Sequence, residues 1–313
     1  MRYGPENPET YIPHGFAEHL CDTGEAVLNY ATAGSPENPP LLLIPGQTES
    51  WWGYEKAMPL LAEHFEVFAV DLRGQGRSSR TPGRYSWDNF GNDLVRFIQL
   101  AIGRPTYVSG LSSGGVLSAW LSAYAMPGQV LGAVYEDPPL FASETNPAVG
   151  QSIRQGIGAY FALMSKYLGD QWSVGSYQAM RSAAATELPP HLAMMVRPPG
   201  ENGEPPQNLK EYDPEWARAF WSGTAGVNCD HARMLASVKC PVLLTHHFRL
   251  VNEDGWLIGA LSDVQAQRAL SLIRATGQPV SYQSFPQMGH SMHGQDPGLY
   301  ARTVIEWVKG TEP

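Results

Sequence analysis

The sequence predicts an α/β protein built on a mostly parallel, eight-stranded sheet with helices on both faces. Three observations carry this. Apolar runs at Leu41–Ile44, Glu66–Val70, Val130–Tyr135 and Pro241–Thr245 alternate with helical patterns. Runs apolar on both faces belong to parallel strands covered on two sides. The chain has 313 residues and is 43% hydrophobic, enough for a full core and an inserted unit. Finally, Gly110-Leu111-Ser112-Ser113-Gly114 sits between the apolar run Thr106–Ser109 and a small-residue helix pattern, Gly115–Leu121.

Read in order, residues 1–15 form a polar arm. Two β-like runs, Glu18–Cys21 and Glu25–Ala31, meet at the turn signal Asp22-Thr23-Gly24. The strand Leu41–Ile44, a helix over Tyr54–Glu63 and the strand Glu66–Val70 follow. A helix spans Trp87–Ala101, with Asp88 near its start. After Pro139 the character changes. Helices are expected over Ala148–Leu168 and Tyr177–Thr186, then a Pro/Gly-rich loop, Pro198–Pro206, and an aromatic cluster, Tyr212–Trp221. Parallel-strand signals return only at Pro241. The spacing predicts a core of 1–139 and 231–313 carrying a helical lid over 140–230. A last strand is expected over Val280–Phe285.

A net charge of −9 argues against nucleic acid or an anionic membrane as partner. The first residues lack the apolar stretch of a signal peptide, and no run approaches the ~18 apolar residues that span a bilayer. Cys21, Cys229 and Cys240 fit neither a paired extracellular framework nor a zinc spacing. A reduced, cytoplasmic protein is expected. The aromatic excess is compatible with a homodimer.

Strand, glycine-flanked turn and helix, in that order, form the nucleophile elbow of an α/β-hydrolase. Ser112 is the candidate nucleophile. Centring the motif on Ser113 would put Leu111 where the backbone must approach closely, which a small residue does better. Ser113 then offers its N–H to an oxyanion hole, and Gly46 or Gln47, after Ile44, offers the second; Gln47 is preferred. His290, after Gly289 and a strand, is the candidate base. His293 is its rival, or a pocket or supporting residue. The acid is less fixed. Past Pro241–Thr245 no carboxylate stands at the usual offset, and Glu253 and Asp254 come late. Glu136-Asp137-Pro138-Pro139, right after Val130–Tyr135, offers Asp137 first and Glu136 second. Arg73–Ser78 lacks the third glycine of a dinucleotide loop and reads as a turn. His246-His247 reads as the end of a buried strand. No metal and no cofactor are expected. Trp216, Phe220 and Trp221 are candidates to line an apolar pocket.

The chain resembles the zearalenone lactonases, α/β-hydrolases that open a resorcylic macrolactone, and most of all the actinobacterial type. The resemblance runs over nearly the whole chain. It is carried by Gln47–Trp52, Val70–Ser78, Ser112–Gly115, Ala119–Gln129, Glu136-Asp137, Asn208–Ala219 and Leu261-Ser262-Asp263. It implies Ser112 as nucleophile, His290 as base and an acid after the strand that follows the elbow helix, which favours Asp137. It also implies a lid tryptophan against the substrate, where Trp216 stands. The chain departs from the fungal members in two places. They carry Glu as the acid, and they have a phenol-contacting Asp where this chain has Gly46. The expected partner is therefore a small apolar lactone. Two other readings share the site: an enzyme of the same fold for another apolar ester or a carbon–carbon bond, and a ligand receptor that keeps the triad but barely turns over.

Overall fold

The computed structural model describes residues 12–169, 175–199 and 203–311. Most of the arm expected over 1–15 and part of the Pro198–Pro206 loop lie outside them. Among the described residues there are ten strands: β1 Glu18–Asp22, β2 Val27–Ala33, β3 Pro40–Ile44, β4 Glu66–Val70, β5 Thr106–Leu111, β6 Val130–Glu136, β7 Val242–His246, β8 Arg249–Val251, β9 Leu257–Gly259 and β10 Val280–Ser284. Eight form one sheet in the order β1-β2-β4-β3-β5-β6-β7-β10. β1 and β2 pair antiparallel, as do β2 and β4, and from β4 to β10 every pairing is parallel. This is the predicted sheet.

The helices are α1 Met58–Ala62, α2 Trp87–Phe97, α3 Ser113–Tyr124, α4 Gly158–Tyr167, α5 Tyr177–Glu187, α6 Pro190–Ala193, α7 Gln207–Lys210, α8 Pro214–Ser222, α9 His231–Leu235, α10 Asp263–Ala275, α11 Met292–Gln295 and α12 Pro297–Thr311. Strand alternation divides the core. Leu42, Ile44, Val108, Ala133 and Tyr135 pack with Phe90 and Leu94 of α2 and Val116 and Leu117 of α3. Leu41, Leu43, Tyr107, Val134 and Leu243 pack with Met58 and Leu61 of α1 and Tyr300, Val304 and Trp307 of α12. Burying one such side chain contributes about 1.5–3 kcal/mol.

Between β6 and β7 the described residues hold helices and no strand. Their apolar faces join the core on the α2–α3 side of the sheet, through Phe161, Met164, Trp216 and Phe220.

Three elements differ from expectation. The helix expected over Tyr54–Glu63 is a 3₁₀ turn, Trp51–Tyr54, followed by the short α1, with Pro59 in its first turn. The helix expected over Ala148–Leu168 begins only at Gly158. Before it Gly150 takes φ 76°, where an added Cβ would lie 2.6 Å from the Gln265 amide, so the chain turns there. The β8–β9 hairpin was not anticipated. No helix among the described residues is long and apolar enough to cross a membrane.

Candidate active site

β5 delivers Ser112 at the carboxyl edge of the sheet, where α3 begins. The turn is as tight as the glycines imply. A Cβ on Gly110 would lie 2.1 Å from the Gly114 carbonyl oxygen, and one on Gly114 would lie 2.2 Å from the Ile44 carbonyl oxygen. Ser112 takes φ 55° and ψ −117°, a strained conformation for a residue with a side chain. Its N–H donates to the Glu136 carbonyl at 2.9 Å, which ties the elbow to the end of β6.

β6 ends in two carboxylates, and each meets a histidine. Asp137, 1% exposed and at φ 41°, accepts from His290 Nδ1 at 2.6 Å through Oδ2. Its other oxygen accepts the His247 N–H at 3.0 Å. Burial pushes the Asp137 carboxyl up, but the hydrogen bond and charge of His290 outweigh it and hold the group below its ordinary value. Desolvation pushes His290 down. The Asp137 bond and charge, with Glu49 and Glu136 behind them, raise it above its ordinary value. A proton fixed on Nδ1 leaves Nε2 as the free acceptor of a neutral His290, the arrangement a general base needs.

Glu136, fully buried, is committed elsewhere. It accepts from Met292 N at 2.7 Å, His293 N at 3.1 Å and His293 Nδ1 at 2.8 Å. Glu253 and Asp254 lie exposed in the turn between β8 and β9. Of the carboxylates weighed from the sequence, Asp137 is the one on His290.

The loop after β3 approaches Ser112 from the other side. Gly46 N–H donates to Glu49 Oε2 at 3.3 Å, whereas among the described residues the Gln47 and Ser113 backbone N–H groups have no hydrogen-bond partner. Ser113 opens α3, so its N–H is one of the orphan donors of a helix start. That leaves two unengaged donors, Gln47 N–H and Ser113 N–H, flanking the elbow. A Cβ on Gly46 would lie 3.4 Å from the Ser112 Cβ, so this loop borders Ser112 directly. Thr48 takes φ 67°, a second strained residue beside the site.

The insertion grips that loop. Gln47 Nε2 donates to Tyr212 Oη at 2.5 Å and Asn208 Nδ2 to the Thr48 carbonyl at 2.8 Å. Ser50 Oγ and Trp52 Nε1 both donate to Glu211 Oε2, the latter at 3.0 Å. Trp216 and Phe220 lie one turn apart on α8 and pack with Tyr85, Phe90, Trp87 and Phe161. Trp216 is wholly buried. Both rings, expected to meet the substrate, are buried in the core under α8, and Phe220 also borders a cavity with Ser143, Glu144, Thr145 and Ala225. Trp221, on another side of the helix, is 42% exposed. His293 is also buried, so its expected place on a pocket wall becomes a supporting one behind the site.

His247, read from the sequence only as the end of a buried strand, has a further role. It is buried, and its Nδ1 lies 3.0 Å from the carbonyl oxygens of both Gly289 and His290. Carbonyls only accept, so Nδ1 carries a proton. His247 thus holds the loop of His290 through its ring and Asp137 through its N–H. The signal was its position, first past a parallel strand, where sites of such sheets gather. Among the described residues no group of three or more His, Cys, Asp or Glu is placed to hold a metal ion.

With this geometry in hand, comparisons place the chain. A family model described as "alpha/beta hydrolase fold" matches residues 39–225. A 3-oxoadipate enol-lactonase 2 from Acinetobacter baylyi is 31% identical over 112 residues, 34% of this chain and 41% of the relative. A bifunctional epoxide hydrolase 2 from Sus scrofa is 32% identical over 38% of this chain and 21% of its own length. The matches thus span less than half of these two relatives. A 3-hydroxybutyrate-oligomer hydrolase from Cupriavidus necator is 22% identical over 92% of this chain and 94% of its own length. Among solved structures, the enol-lactonase from Burkholderia xenovorans superposes with a TM-score of 0.66 at 15% identity, covering 93% of this chain and all of that one. At that identity the likeness concerns the fold.

Proposed function

The chain belongs to the alpha/beta hydrolase fold family, and from that premise we propose that it is a serine hydrolase that opens the macrolactone ester of zearalenone and close analogues. One observation carries the chemistry. His290 is held by Asp137 through Nδ1 at 2.6 Å, at the same sheet edge as a strained Ser112. The resorcylic substrate rests on the stretches, Gln47–Trp52 and Asn208–Ala219 among them, by which the sequence resembles the zearalenone lactonases. A lactone is further supported by the partial likeness to a curated 3-oxoadipate enol-lactonase.

Ser112 Oγ attacks the lactone carbonyl while His290 Nε2 takes its proton. Asp137 keeps the imidazole oriented and stabilises the cation that forms. The carbonyl oxygen, now an anion, is received by the Gln47 and Ser113 N–H groups. Losing one such donor costs about 10²–10³ in rate. The tetrahedral intermediate collapses, the ester C–O bond breaks, and the leaving alkoxide takes the proton from His290. Because the ring is open but the chain continuous, that alcohol stays attached to the acyl group on Ser112. A water then loses a proton to His290 and attacks the acyl carbon. Ser112 departs with that proton, leaving a hydroxy acid. The reaction as written uses no cofactor.

The test is incubation with zearalenone followed by product mass. The expected product is heavier by one water, with steady turnover, and Ser112→Ala slows its formation by about 10⁶-fold. A variant keeping a tenth of the activity removes Ser112 from the mechanism. Zearalenone left intact while aryl esters are hydrolysed in a Ser112-dependent way moves the substrate elsewhere. A single stoichiometric burst makes the protein a receptor.

A further inference from the structure

His293 lies beside the catalytic machinery yet takes no part in the steps above. Its surroundings are unusual for a buried ring. Nδ1 bonds Glu136 Oε2 at 2.8 Å, and its own N–H is held by Glu136 Oε1 at 3.1 Å. Nε2 points the other way, 3.3 Å from Ser291 Oγ and 3.8 Å from Glu49 Oε2. The ring stacks on Tyr54 with centroids 3.8 Å apart and meets Tyr300 edge-on at 5.5 Å. Tyr54 Oη in turn donates to the Ile44 carbonyl at 2.9 Å and accepts the Leu111 N–H at 3.2 Å. Ile44 precedes the loop that borders Ser112, and Leu111 precedes Ser112 itself. Glu49 belongs to that same loop and holds its Gly46 N–H. Three segments therefore converge on one ring: the base loop, the elbow and the oxyanion loop.

We propose that His293 is a positioning residue, which ties the loop of His290 to the oxyanion loop through Glu136 on one side and Glu49 on the other. The inference rests on Ser112, Asp137 and His290 as the machinery, and not on the identity of the lactone. Two carboxylates facing one ring favour its imidazolium. Burial alone would push His293 down, but Glu136 and Glu49 raise it above its ordinary value, against a smaller opposing effect of His290. That cation also offsets the charge of Glu49. An uncompensated carboxylate beside the oxyanion hole would oppose the negative charge that develops there. Glu49 is 28% exposed, so it can be changed without opening the core.

The experiment compares Glu49→Gln, His293→Asn and the double variant in the full chain, with zearalenone and with a p-nitrophenyl ester. Active sites are counted by a phosphonate that titrates Ser112. Asn keeps a donor near the Nδ1 position but cannot reach Glu49. Each single variant is expected to lower kcat about 10-fold, with KM little changed, since misplacing catalytic groups by fractions of an ångström acts on the chemical step. The double variant is expected to be no slower than the slower single one, because both remove one link. Glu49→Gln should also move the acid limb of kcat/KM to lower pH, because the charge of Glu49, with those of Asp137 and Glu136, raises His290. Losses that multiply in the double variant, a change confined to KM, or an unmoved acid limb overturn the proposal. If His293→Asn does not fold, the kcat and pH profile of Glu49→Gln alone decide. A failed zearalenone assay with a p-nitrophenyl assay that behaves as expected faults the substrate and leaves this inference standing.

Discussion

Two adjacent carboxylates with separate histidines make the acid of this site a question of single atoms. Asp137 touches the half-exposed His290, and Glu136 touches the buried His293. Asp137→Asn keeps the size of the side chain but favours the wrong imidazole tautomer. It should lower kcat by about 10⁴, as loss of a triad aspartate does. Glu136→Gln should lower kcat far less but weaken the fold, since Glu136 accepts three hydrogen bonds while fully buried. Steady-state kinetics beside thermal melts separates the two, and the reverse ranking would hand the acid role to Glu136. The pH profile carries an independent sign. In the proposed mechanism His290 acts as a base only when neutral, and Asp137 raises its proton affinity. The acid limb of kcat/KM should therefore lie above the ordinary histidine value of about 6.5 and move down in any residual activity of Asp137→Asn. From the sequence, chain order and proline placement could favour Asp137. They could not reveal that Glu136 serves another histidine, because that pairing depends on β6 delivering side chains to different sides at its last residue.

Elements differ in how plainly they show in the sequence, and the reason is burial. β3, β4, β5, β6 and β7 are buried along almost their whole length, so their runs are mostly apolar and lie within a residue or two of where the pattern put them. β8 and β9 have three residues each, with mostly exposed or half-exposed side chains, so no pattern marks them. The start of α4 was misplaced because a turn at Gly150 depends on packing against Gln265, a residue more than a hundred positions away. The same holds for the seam between the insertion and the oxyanion loop. Nothing local to Glu211 announces that it bridges Ser50 and Trp52. Glu211→Ala leaves a buried hydroxyl and a partly buried indole N–H without acceptors. Each buried polar group left so costs about 1–3 kcal/mol. The melting temperature should fall, and kcat with it, because the loop bearing the Gln47 N–H loses one of its braces, beside those from Tyr212 and Asn208. Calorimetry and kinetics on this variant together test the seam. A variant destabilised but fully active would mean that the insertion supports the fold without positioning the oxyanion hole.

Across the whole molecule, protons link the site to the stability of the fold. Burial, the largest cause at each, pushes Asp71 and Glu144 up to about 7. Their unfolded values lie near 4, so between the two the folded chain binds more protons than the unfolded one. Their contribution is present below about pH 4 and is lost as pH rises through about 7. His290 and His293 are raised as well, so theirs is present below about 6.5 and lost as pH climbs past their folded values. His231 has the opposite sign. Burial lowers it to about 4, and its contribution, present above about 6.5, is lost as pH falls. His246 is lowered too and follows it. The two sets oppose each other on the acid side, whereas above about 6.5 only the first set acts. The melting temperature should therefore fall between pH 6.5 and 8, the window in which catalysis gains from a neutral His290. Glu144→Gln should flatten that decline. It keeps the acceptor for His231 N–H, now at 3.0 Å, and removes a charge whose second oxygen is buried without a partner. Calorimetry at several pH values on both proteins checks this. A melting temperature that rises or stays level from 6.5 to 8 would show that these buried acids do not govern the alkaline side of the stability curve.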